Sequence, residues 1–132
     1  MKTLLTILLL LLTSITYSCP LHINHTKSTV LYDINSRNSL DNTGVNKDGL
    51  EFFVEAYSSE TTIMYIFNKE GICITQYTFY RYIQLENIKQ QLNNLLVISD
   101  SIYVNTKEKV VFELKSNEEE DYVVIINYSI QW

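Results

Sequence analysis

The side chains best suited to chemistry stand at Cys19, His22 and His25, in a C-x-x-H-x-x-H string. Thiolate and imidazole are good ligands for zinc or copper, but a tetrahedral site takes a fourth ligand, and the neighbouring sequence supplies none. The one other cysteine is Cys73, and both histidines lie far before it, so no Cys/His pair is spaced for nucleophilic catalysis. There is no H-E-x-x-H, no G-x-S-x-G and no phosphate-binding glycine loop. The expectation is a protein that is not an enzyme, with no catalytic residue, no cofactor and no metal site.

A second string, Asn46-Lys47-Asp48-Gly49, has the spacing of the middle of a calcium loop, with Glu55 at the twelfth position. Its first position would be Gly44, which has no carboxylate, and no helical pattern flanks it. A polar loop leading into a strand is the better reading. Tyr77, Tyr80, Arg81 and Tyr82, with Phe79, crowd a strand-to-helix corner. Tyrosine and arginine combine large contact area with a polar tip, so exposed together they would form an interaction patch. The competing reading puts alternate rings in the core and the others over cross-strand neighbours.

The elements that must position these residues follow from periodicity. Residues 1–18 read as a secretory signal: one charge at Lys2, an apolar run from Leu4 to Leu12, then small and polar residues. The run is shorter than the roughly 20 residues that span a bilayer. Cleavage after Ser18 would leave Cys19 first, either as a lipid anchor or as the first residue of a freely secreted chain. A Cys19–Cys73 disulfide is the alternative in an oxidising compartment, and it excludes acylation of Cys19. The expected location is outside the cytoplasm: secreted, periplasmic or lipid-anchored to the envelope.

Residues 19–49 read as a tether and polar loop, with a possible short strand at 28–34. Residues 50–132 read as one α+β domain. In Leu50–Tyr57 the residues Leu50, Phe52, Val54 and Ala56 alternate with Glu51 and Glu55, which predicts an outward Glu55. Thr61–Phe67 and Ile72–Tyr80 complete a meander. Tyr82, Leu85, Ile88, Leu92, Leu95 and Leu96 form one helical stripe, predicting an amphipathic helix over about 82–96. Strands at 98–105, 110–115 and 122–130 follow, with the acidic run Glu118–Asp121 at a solvated hairpin tip. The predicted fold is an antiparallel sheet of about six strands with the helix packed on one face, in the order βββαβββ.

Without residues 1–18 the chain holds nine basic and fifteen acidic side chains, a charge of −6. Nucleic acid and anionic membrane faces call for a basic stripe, so neither is an expected partner. A membrane would enter only through a lipid at Cys19. Hydrophobic residues at 46% exclude a disordered chain. The leader MKTLLTILLLLL, the strand GICITQY before an asparagine-rich helix, and the heavy use of Ile, Asn, Lys and Tyr resemble small exported proteins of Bacteroidetes-type bacteria. The resemblance implies an exported α+β domain and carries no active-site residues with it. Two functions stay in view. One is an exported binding or structural module. The other is a periplasmic inhibitor or immunity protein that blocks a basic toxin or hydrolase through an acidic, aromatic surface.

Overall fold

The structure, a computed structural model, describes residues 19–130; the secretory signal expected at 1–18 lies outside the described residues. Helix α1 (Lys27–Ser36) leads into strands β1 (Leu40–Val45), β2 (Glu51–Ser58), β3 (Thr61–Phe67) and β4 (Cys73–Tyr80). A 3-10 turn (Tyr82–Gln84) and helix α2 (Leu85–Leu92) lead into β5 (Leu96–Ser99), β6 (Ile102–Asn105), β7 (Val110–Asn117) and β8 (Tyr122–Ser129). All eight strands form one antiparallel sheet in the order β1-β2-β3-β4-β8-β7-β6-β5. The chain is therefore two successive helix-plus-four-strand units joined where β4 pairs with β8. The α+β class stands, but the order is αββββαββββ, with eight strands rather than six.

Two of the unexpected elements, α1 and β1, come from the stretch expected to be tether and loop, and the eighth strand comes from the division of the expected 98–105 strand into β5 and β6. Residues 28–34 are helical despite their β-branched content. Thr26 caps the helix by accepting a hydrogen bond from the Thr29 amide at 3.3 Å. Val30 and Ile34, one turn apart, are both fully buried. The helix ends in a Schellman motif: Asn38 sits at φ +53°, its amide donates to Asn35 O, and the Ser39 amide donates to Ile34 O. The chain then leaves as β1 along β2, so six residues of the expected tether and loop form an edge strand.

The turns reuse one device. Asn46 Oδ1 accepts from the Asp48 and Leu50 amides, and Asn68 Oδ1 accepts from the Glu70 and Ile72 amides. Gly49 and Gly71 close these turns at φ +80° and +77°. Asn46-Lys47-Asp48-Gly49 is thus a hairpin turn, with the asparagine oxygen already engaged by backbone amides.

Helix α2 is shorter than the sequence stripe. The stripe spans the 3-10 turn and α2, then stops. Asn93 and Asn94 bond back to Lys89 O and Gln91 O, and Leu96 already belongs to β5. The expected strand at 98–105 is a β5–β6 hairpin turning at Asp100 and Ser101.

Both helices pack on the same face. Val30 and Ile34 of α1 meet Phe53, Ile63, Tyr65 and Phe67. Ile88 and Leu92 of α2 meet Tyr103, Leu114, Val123 and Ile125. Strand β2 reverses its expected register: Phe53 and Glu55 are buried, while Ala56 is exposed. Both parities of this strand carry apolar residues, so alternation alone did not decide. The polar partners waiting for Glu55 on the helix side did, as described below. On the other face Phe52, Val54, Met64, Ile66, Tyr77 and Ile126 are half-buried, and no helix among the described residues covers them.

Candidate functional site

The register places turns of the same kind of charge together. At one end of the sheet lie the β2–β3 turn with Glu60, the β5–β6 turn with Asp100, and the β7–β8 turn with Glu118, Glu119, Glu120 and Asp121. The strand-to-helix corner at Arg81 is at this end too, next to the Tyr80–Val123 pair. At the opposite end the turns mix Lys47, Lys69, Lys107 and Lys109 with Asp48, Glu70 and Glu108. One end is therefore strongly acidic and the other nearly balanced.

Arg81 clamps two of the acidic turns. Its Nε donates to Asp121 Oδ2 at 3.1 Å and its Nη1 to Glu60 Oε1 at 3.4 Å. The same Asp121 accepts from the Tyr82 amide through Oδ1 at 3.2 Å. The neighbouring Asp121 and Glu60 carboxylates hold the exposed Arg81 guanidinium above its ordinary pKa. Asp121 adopts φ +55° at the hairpin tip, which aims its carboxylate back at the corner. A groove of about 500 Å³ runs from Arg81 itself past Tyr82, Ile83 and Glu86 to Glu118 and Asp121. Ile83 is 76% exposed on its rim. The corner thus combines an open apolar side chain with three carboxylates and one guanidinium, which is already paired with Asp121.

The predicted interaction residues separate. Alternation along β4 sends Tyr77 to the open face, where it stacks on Phe79 with ring centroids 6.4 Å apart. Tyr80 points the other way, under the helix-bearing side, and donates to Cys19 Sγ at 3.2 Å. Burial, with the nearby Cys19, pushes the Tyr80 phenol up from its ordinary pKa. Arg81 and Tyr82 alone remain at the corner. The sequence reading missed Ile83, Glu60 and the tie between Asp121 and the Tyr82 amide. Ile83 stands off the helical stripe, which is the one sign of its exposure.

Both thiols are free. Cys73 is fully buried in β4, and desolvation pushes its pKa up to about 12. Cys19 is half-buried against Tyr80; desolvation raises its pKa against the lowering effect of that hydrogen bond. The histidines part from Cys19. His22 Nε2 donates to Asp33 Oδ2 at 2.6 Å, and its Nδ1 meets His25 Nδ1 at 2.8 Å. No cluster of three or more His, Cys, Asp or Glu side chains suited to a metal occurs among the described residues.

A buried network ties the N-terminal strap, residues 19–26, to the sheet. Arg37 donates to both oxygens of Glu55, Nε at 2.7 Å and Nη2 at 2.9 Å, and also pairs with Asp33 at 2.8 Å. Ser39 and Tyr65 donate to the same Glu55 carboxylate at 2.5 and 2.7 Å. Burial alone would raise the Glu55 pKa, but four hydrogen bonds and the guanidinium charge outweigh it and hold it below the carboxylate range. Asp33 is likewise lowered, its partial burial outweighed by His22 and Arg37. This chain of contacts, from His25 to Tyr65, fixes the strap, α1 and β2 to one another. Every member is engaged within it, so it reads as an anchor rather than a reaction centre.

Comparison of the chain with protein families, with curated proteins and with solved structures gives no match. No helix among the described residues is long and apolar enough to cross a membrane.

Proposed function

We propose that the chain is a small exported protein-binding module whose acidic end receives a basic partner at the Arg81–Asp121 corner. The observation that supports this is the contiguity of the exposed Ile83 with Glu86, Glu118 and Asp121 in one groove. An apolar anchor ringed by carboxylates fits a basic segment with an apolar side chain: charge speeds encounter and the apolar contact slows dissociation. A purely structural module has no need of so lopsided a charge. Inhibition of a basic toxin or hydrolase is the narrower form of the same reading, since a partner of that kind supplies the complementary charge.

The test uses the mature chain immobilised beside two variants, Ile83→Asp and the triple Glu118→Gln, Glu119→Gln, Glu120→Gln. Each is exposed to the basic proteins exported by the cells that make it. A complex retained by the wild type, weakened by Ile83→Asp and about tenfold weaker after the triple change at low salt, supports the reading. Retention that ignores both variants, or none, contradicts it.

A further inference from the structure

A cavity of about 240 Å³ lies between α2 and the sheet, away from the acidic corner groove. Its walls are Ile88 and Leu92 of α2 and Phe112 and Ile125 of the sheet, with Cys19 and Leu21 of the strap across one side. The strap is held by Gln76, whose Oε1 accepts from the His22 amide at 3.0 Å and whose Nε2 donates to Pro20 O at 2.7 Å.

Two deeply buried polar side chains line this cavity without being fully used. Thr78 is 2% exposed, and its hydroxyl has no hydrogen-bond partner among the described residues. Asn127 is 3% exposed; its amide nitrogen donates to Val111 O at 3.2 Å, and its Oδ1 has no partner. No fully enclosed side-chain polar atom among the described residues lacks a partner, so these two oxygens are reached from the cavity itself. They lie on adjacent strands, since Thr78 pairs with Ile125 and Gln76 with Asn127 across β4 and β8. No charged side chain lines the space.

We infer that this cavity is a binding site for a small uncharged alcohol with a compact aromatic or aliphatic body. The apolar walls take the body. The ligand hydroxyl donates to Asn127 Oδ1 and accepts from the Thr78 hydroxyl, using the two groups left idle. A carboxylate or an amine would be desolvated with no counter-ion, which excludes charged ligands. An engineered apolar cavity of about 150 Å³ holds benzene, so this one suits a ligand of about ten heavy atoms and is too small for a long acyl chain.

Heteronuclear NMR titration with 4-ethylphenol, against the isosteric 4-ethyltoluene, tests the site. The expected result is saturable shifts at Thr78, Asn127 and Leu92, with 4-ethylphenol about tenfold tighter than 4-ethyltoluene. Thr78→Val keeps the side-chain shape and removes one of the two hydrogen bonds, so it is expected to reduce that preference while 4-ethyltoluene binds unchanged. Leu92→Phe is expected to fill the space and abolish both. Equal affinity for the two compounds, or shifts confined to other residues, would overturn the inference. So would a preference that Thr78→Val leaves undiminished, which is readable even if Leu92→Phe does not fold. Protein from its own host that ignores 4-ethylphenol while Cys19→Ser protein binds it would show the cavity filled by a group on Cys19, and would equally overturn it.

Discussion

Glu55 shows how a single carboxylate can reverse a strand. It sits fully buried in β2 because Arg37, Ser39 and Tyr65 converge on it. A buried charge is tolerated only with such partners, and removing one leaves the other stranded. Arg37→Ala should therefore lower unfolding stability by about 3 kcal/mol, read from urea midpoints. The pH dependence follows from the lowered Glu55 pKa. Its contribution is complete above the unfolded value of 4.5 and is lost as pH falls through the lower folded value. Wild-type stability should fall on acidification below about pH 4.5, and Glu55→Gln should be less stable at neutral pH but flatter across that range. Cys73 has a pKa near 12 and no exposure, so it should resist alkylation at neutral pH until urea unfolds the chain. Alkylation of Cys73 in the folded state would contradict its placement.

None of the Glu55 network was legible in the sequence. Phe52 and Val54 compete with Phe53 and Tyr57 for the inward face, and only the distant Arg37 and Tyr65 break the tie. Arg37 was read as part of a polar loop because helix α1 hides behind strand-forming residues. Its capping Thr26 and the paired Val30 and Ile34 were present in the sequence, but intrinsic preference pointed to strand and tertiary burial overrode it.

Among the elements, the strands β2, β3, β4, β7 and β8 were readable because long apolar runs ended in short polar turns. The short β5 and β6 were not separable, since a two-residue turn at Asp100 and Ser101 carries no glycine or proline. The turns also carry a testable asymmetry. Gly49 and Gly71 close two hairpins at positive φ, whereas Lys109 does the same work at φ +58°. A side chain there is strained, so Lys109→Gly should raise stability by about 0.5–1 kcal/mol, measured as a shift of the thermal midpoint. A loss of stability would mean that the lysine side chain stabilises the turn by more than its backbone costs.

At the scale of the molecule, the two helix-plus-four-strand units meet at β4 and β8, which therefore have neighbours on both sides. Strands β1 and β5 are the free edges, and all four residues of β5 are exposed, Val97 and Ile98 among them. Amide hydrogen exchange should be slowest in β4 and β8 and fastest in β5 and β1. The same topology gathers Glu60, Asp100 and Glu118–Asp121 at one end, an arrangement no local pattern could reveal.

The central claim is that this acidic end is the end that binds. A photo-crosslinking benzoylphenylalanine placed at Ile83, and separately at Lys47 on the opposite end, measures it directly in the presence of the exported proteins of the same cells. The expected result is a crosslink from position 83 to a basic protein, suppressed by salt, and none from position 47. A crosslink from position 47, or one from position 83 to a partner indifferent to salt, would contradict it.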